Sequence, residues 1–133
     1  MTIKVILDSN FLFIPSQFKM DIFEGLMAIL NRKFEPIILS PTHDELKRIA
    51  EKGSPKMRQH ALLALRLAKK CRIVEVKQNF RETHDEVITR VATEWKCPVA
   101  TNDRALRKIL RNKNLPVIYV RKRSRLEMEG SIQ

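Results

Sequence analysis

Two hydrophobic rhythms alternate along this chain. Ile3-Lys4-Val5-Ile6-Leu7 is a short, nearly continuous apolar run that stops at Asp8-Ser9-Asn10, the pattern of a strand buried on both faces of a parallel sheet. From Asp21 to Lys33 the apolar residues Ile22, Phe23, Leu26, Met27, Ile29 and Leu30 recur at helical spacing. Pro36-Ile37-Ile38-Leu39 predicts a second strand. Ser40-Pro41-Thr42 then opens a helix towards Lys52, because Ser or Thr suits a cap and Pro the first turn. After the break at Gly53-Ser54-Pro55, a helix from Pro55 to Lys70 is expected to bury Leu62, Leu63, Leu65 and Leu67. Arg72 to Val76, Pro98 to Thr101 and Pro116 to Val120 read as the third, fourth and fifth strands. Between them one helix begins at Thr83-His84-Asp85 and carries Val87, Ile88, Val91, Ala92 and Trp95; another starts at Asn102-Asp103 and runs to Arg111.

Strands alternating with helices predict a single α/β domain of Rossmann-like type over residues 1–120, with a mainly parallel sheet and right-handed crossovers. Residues 121–133 are set apart as a basic C-terminal tail. The length of 133 residues and 44% hydrophobic content suit one globular unit. No run approaches the roughly 20 apolar residues of a membrane helix. Met1 to Val5 enters the strand pattern with no leader signature, so a cytoplasmic protein is expected. Cys71 and Cys97 lie outside any metal-ligand spacing and read as small core residues.

Charge changes the picture. Twenty-six Lys+Arg against 15 Asp+Glu give a net charge of +11. From Arg104 to Leu126 there is no acid at all, while Arg104, Arg107, Lys108, Arg111, Lys113, Arg121, Lys122, Arg123 and Arg125 are basic. Such an excess points to a polyanionic partner, because neutralised phosphates release condensed counterions. Arg104, Arg107, Lys108 and Arg111 fall at i, i+3, i+4 and i+7, one helix face, and Arg121 to Arg125 extend that surface. Trp95 and Tyr119 read as core or edge residues, which favours recognition by shape and phosphate over base reading.

Against this basic background, Asp8 closes the first strand, Glu45 follows the second, Asp103 follows the fourth, and Asp85 opens the helix leading into that fourth strand. Open parallel sheets bind ligands beyond the carboxyl ends of their strands, so topology delivers these acids to one edge. The competing explanation is helix capping: Thr42-x-x-Glu45 and Thr83-x-x-Glu86 both match the capping box, and Asp85 and Asp103 lie where a helix dipole favours anions. Asp8, at the end of a buried strand, has no cap to make on this reading. Clustered carboxylates suit a hard divalent cation such as Mg2+, which lowers the pKa of a water and neutralises charge in phosphodiester hydrolysis. Ser9, Asn10, Thr101 and Asn102 supply short polar groups beside the acids, able to orient ligands or simply to make turns.

Four segments, Val5 to Asn10, Thr42 to Leu46, Asp85 to Ala92 and Val99 to Leu106, resemble the PIN-domain family of metal-dependent nucleases, in order and across nearly the whole chain. The resemblance implies an acidic quartet of Asp8, Glu45, Asp85 and Asp103, a five-stranded sheet in the order 3-2-1-4-5 with helices on both faces, and Mg2+ or Mn2+ at the strand ends. Ser9 departs from the family's more frequent Thr but keeps the hydroxyl. Asp44 and Glu86 stand one residue from Glu45 and Asp85 and would replace them if the register shifted. Asp8 to Pro15 and Ile118 to Glu127 look most like the archaeal Fcf1-like branch, of the ribosome-biogenesis type. The resemblance thus implies an endoribonuclease acting on structured RNA such as ribosomal RNA precursors. The alternatives are a toxin-type ribonuclease held by an antitoxin partner, and a silent RNA-binding module. The family often dimerises, and the Asp21–Lys33 helix would suit a homodimer.

Overall fold

The computed structural model describes residues 2–132. Its elements are β1 (Ile3–Leu7), α1 (Ser9–Leu12), α2 (Ile14–Phe18), α3 (Ile22–Leu30), β2 (Phe34–Leu39), α4 (Ser40–Lys52), α5 (Pro55–Ala68), β3 (Arg72–Val74), α6 (His84–Trp95), β4 (Val99–Ala100), α7 (Arg104–Asn112), β5 (Val117–Arg121) and β6 (Arg125–Glu129). The sheet runs β3-β2-β1-β4-β5-β6, parallel throughout except for the antiparallel β5–β6 pair. The order expected for the first five strands is the one observed. The sixth strand was not foreseen.

Strand alternation divides the core in two. Val5, Leu7, Ile38, Ala100 and Ile118 point to one face and pack with Phe11, Leu12, Ile14, Ile22, Leu26, Leu46, Ala61 and Ala64 of α1–α5. Ile6, Ile37, Leu39, Val99 and Val117 point to the other and meet Val87, Ile88, Val91, Leu106 and Leu110 of α6 and α7. Burial on both faces is why these strands read as continuous apolar runs. Among the described residues no helix is long and apolar enough to cross a membrane.

Three expectations are corrected by packing. On α5 the buried residues are Ala61, Ala64 and Ala68, while Leu62 and Leu63 are 55% and 37% exposed. Small side chains form the ridge facing the core, and the leucines flank it. The third strand stops at Val74 rather than Val76, because Val76 N donates to the Ser40 hydroxyl at 3.0 Å instead of joining the ladder. The segment after Val120, expected as a tail, continues β5 through Arg121, turns at Lys122–Ser124 and returns as β6. Leu126 anchors it on α3 by close approach to Gly25: a Cβ there would stand 2.8 Å from Leu126 Cδ1, so a larger residue would make that side chain shift.

Candidate active site

Strand order reverses between β1 and β4, and their carboxyl ends are level, Leu7 opposite Ala100. Asp8 and Thr101 follow directly and are both buried, at 6% and 0% exposure. Asp8 makes a cap after all. The one-turn helix α1 begins at once, and Asp8 Oδ1 accepts from Ser9 N at 2.8 Å. Its Oδ2 accepts from Thr101 Oγ1 at 2.8 Å and from Asn10 Nδ2 at 3.1 Å. Thr101 Oγ1 in turn accepts from Asp103 N at 3.1 Å, so one hydroxyl ties the first acid to the backbone of the last. Asn10 Oδ1 accepts from Asn102 N at 2.9 Å, and Asn102 Oδ1 from Val120 N at 3.0 Å. Ser9 enters through its backbone; Asn10, Thr101 and Asn102 enter through their side chains. Together they lock the ends of β1, β4 and β5 into one polar lattice.

Asp103 is the N-cap of α7, its Oδ1 accepting from Ala105 N at 2.8 Å and Leu106 N at 3.1 Å. The two adjacent-residue alternatives separate cleanly. Glu86 completes a capping box with Thr83, each side chain accepting from the other's backbone N at 3.1 Å, which occupies Glu86 and leaves Asp85 out of the cap. The other capping box does not form. Helix α4 starts at Ser40 with Leu39 as N-cap, Thr42 is buried inside it, and Glu45 has no cap to satisfy. Asp44 faces solvent beside Lys47, whereas Glu45 contacts His84 and lies 3.7 Å from Arg48.

Asp8 and Asp85 both feel neighbouring carboxylates. Burial pushes the Asp8 carboxyl above the ordinary range; hydrogen bonds from Thr101 and Ser9 oppose this, and the charges of Asp85 and Asp103 add to it. Asp85 is also raised, first by burial and then by Asp103, with His84 opposing and Glu45 adding. Burial is the larger cause at both, and the added push from neighbouring carboxylates marks acids close enough to repel. Among the described residues no three His, Cys, Asp or Glu side chains close on a single point. The donor chemistry nonetheless suits a hard divalent ion, which favours oxygen ligands, takes one or two carboxylates and keeps several waters. Asp8, Asp85 and Asp103, with Glu45 beside them, are the residues that could hold it.

Sequence reasoning missed His84, whose one signal was its place directly before Asp85. It also missed Arg90, which holds the loop before α6. Its guanidinium donates to Glu82 at 2.9 and 3.0 Å and to Lys77 O at 2.6 Å, fixing the helix start that carries Asp85.

The basic face is less uniform than its spacing implied. Arg104 and Lys108 are exposed, but Arg107 stacks 4.1 Å over Tyr119, and Arg111 donates to Leu115 O at 3.1 Å. Ile109 of the same helix is 43% exposed, so the stripe has an apolar neighbour in solvent. Arg121, Lys122, Arg123 and Arg125 belong to the β5–β6 hairpin, not to a free arm.

A model of the PIN like domain family matches residues 5–123, and the chain belongs to that family. It is 33% identical over 132 residues to ribonuclease VapC4 of Methanocaldococcus jannaschii, covering 97% of this chain and 98% of that protein. It is 33% identical to the rRNA-processing protein fcf1 of Schizosaccharomyces pombe, covering 87% of this chain but 58% of that one. For the rRNA-processing protein FCF1 of Saccharomyces cerevisiae the identity is 34%, over 81% and 54% of the two chains. Among solved structures, the PIN domain endonuclease Utp24 superposes with a TM-score of 0.77 at 31% identity, covering 98% of this chain and 93% of that one.

Proposed function

We propose that the chain is a metal-dependent endoribonuclease that cuts structured RNA of the ribosomal-precursor type. The observation carrying this is the lattice that fixes Asp8 and Asp103 around Thr101, with Asp85 and Glu45 in the same field. Asp8, Asp103, Asp85 and Glu45 would hold Mg2+ or Mn2+; when bound, such an ion supplies an activated water and offsets the charge that develops on the leaving oxygen. The chain's own contribution is orientation. Thr101 and Ser9 aim the two Asp8 oxygens, the α7 amides aim Asp103, and the Glu82–Arg90 pair holds the start of α6. Exposed Arg104 and Lys108 beside Asp103 offer cations to the RNA backbone. Relatives named for ribonuclease activity and rRNA processing support the substrate class.

A second reading, a toxin-type ribonuclease restrained by an antitoxin, is supported by the near end-to-end match to a protein named simply a ribonuclease. Incubation of the purified protein with ribosomal RNA precursor and Mn2+ tests the first reading. Defined cleavage that disappears in Asp8→Asn with Asp103→Asn is the expected result. Cleavage surviving that pair of substitutions sinks the mechanism, and cutting of other RNA with the ribosomal precursor left intact favours the second reading.

A further inference from the structure

Next to Asn102, on the β5 side of the acidic edge, lies a cleft of ≈ 350 Å3 walled by Arg104 and Arg107 of α7, Tyr119 and Arg121 of β5, Lys122 of the hairpin turn and Phe18 at the end of α2. Two of its cations are occupied by the wall itself. Arg107 lies over the Tyr119 ring and 3.9 Å from Glu129; Arg121 donates to the Tyr119 hydroxyl at 2.8 Å and pairs with Glu127. Arg104, Lys122 and Arg123 are exposed, and no carboxylate among the described residues lies within ion-pair distance of them.

The turn that supplies Lys122 and Arg123 works against its own backbone preference. Both residues have left-handed φ, 54° and 58°, and Ser124 N donates to Arg121 O at 3.2 Å, the signature of a type I′ turn. Asn-Gly is the favoured pair there, because a Cβ resists positive φ. Two long cations stand in its place, and one of them, Arg123, reaches back to within 5.7 Å of the Phe18 ring centroid. Backbone strain retained at a surface turn is a reason to look for what the side chains do.

We propose that this cleft binds one unstacked nucleotide of single-stranded RNA beside the bond to be cut, its base taking the place of the Arg123 guanidinium over Phe18 and its flanking phosphates held by Arg104, Lys122 and the displaced Arg123. The inference rests on the ribonuclease reading and refines its substrate. A protein aromatic can reach the face of a base only where the strand is unpaired, and such stacking tolerates any sequence. The segment recognised is therefore a loop or single-stranded stretch within a structured RNA.

The test is fluorescence anisotropy with a labelled single-stranded RNA octamer in EDTA, so that binding is read without cleavage. Lys122→Asn with Arg123→Gly is expected to raise Tm while weakening binding about 10-fold and flattening its salt dependence. Phe18→Ala is expected to weaken binding by about 10-fold or more. Because Phe18 also packs on the core, the unaltered protein is tested with an octamer of abasic residues, expected to bind more weakly by a similar factor. A turn variant that is more stable yet binds as tightly, or an abasic octamer bound as well as the intact one, overturns the proposal. If Mn2+-dependent cleavage persists in that case, the nuclease reading stands without it. If the unaltered protein neither binds nor cuts RNA, both are lost.

Discussion

Asp8 and Asp103 are held by backbone amides and a buried hydroxyl, whereas Glu45 pairs with His84 and Arg48, and Asp85 owes its place to the capped start of α6. The inner pair is fixed before any ion arrives; the outer pair is positioned by neighbours that can shift. Fixed oxygens cost stability when they are buried and charged, and an ion would recover that cost on binding. The inner pair should therefore set activity, and the outer pair should tune it.

The largest effect is expected of Asp8→Asn, which keeps an acceptor for Ser9 N but removes the inner charge. Cleavage with Mn2+ is expected to fall at least about 100-fold, measured in single turnover with the fold checked by circular dichroism. Thr101→Val comes next. It strips the hydroxyl that serves both Asp8 and Asp103 N. A loss of about 10-fold in activity is expected with roughly 1–3 kcal/mol of stability, and Thr101→Ser should restore most of both. Unchanged activity in the Val variant would show that the lattice is only structural.

Asp85→Asn should act on stability as well as on activity. Its carboxyl is raised above 3.8 in the fold, so the protonated form is favoured there. The resulting stabilisation is complete below that value and is lost as pH climbs through the higher folded pKa. At neutral pH without divalent ions the ionised Asp85 is a burden. The Asn variant should therefore melt higher than the unaltered protein, with the gain shrinking towards acid pH. A lower Tm at pH 7 contradicts the shared field. The smallest expected effect is Asp44→Asn, within about 0.5 kcal/mol in stability and with unaltered cleavage. A collapse of activity there would mean that Asp44, not Glu45, serves the site.

The parallel order of the first five strands was legible because strands buried on both faces announce themselves as unbroken apolar runs. The placement of Asp8 and Asp103 was legible because Asp8 directly follows such a run and Asp103 stands just beyond another, after Thr101-Asn102. Glu45 and Asp85 were placed only to within one residue, since Thr42-x-x-Glu45 and Thr83-x-x-Glu86 look alike in sequence. Tertiary packing alone makes the second a capping box and buries Thr42 so that the first is not. Strand β6 was hidden because Arg125-Leu126-Glu127-Met128-Glu129 alternates with period two inside a run of charges, which read as a solvated tail. On α5, hydrophobicity pointed to the leucines, whereas side-chain volume put the alanines inside. Phe18 carries no such signal for a related reason: nothing local marks an aromatic that lines a cleft made by residues far along the chain, Asn102 to Lys122.

Isothermal titration of Mn2+ into the protein at neutral pH measures how the inner and outer acids divide the binding of a metal. Binding that is lost in Asp8→Asn and in Asp103→Asn, weakened in Glu45→Gln and Asp85→Asn, and unchanged in Asp44→Asn is the predicted result. Equal Mn2+ affinity in the Asp8→Asn and unaltered proteins would contradict it.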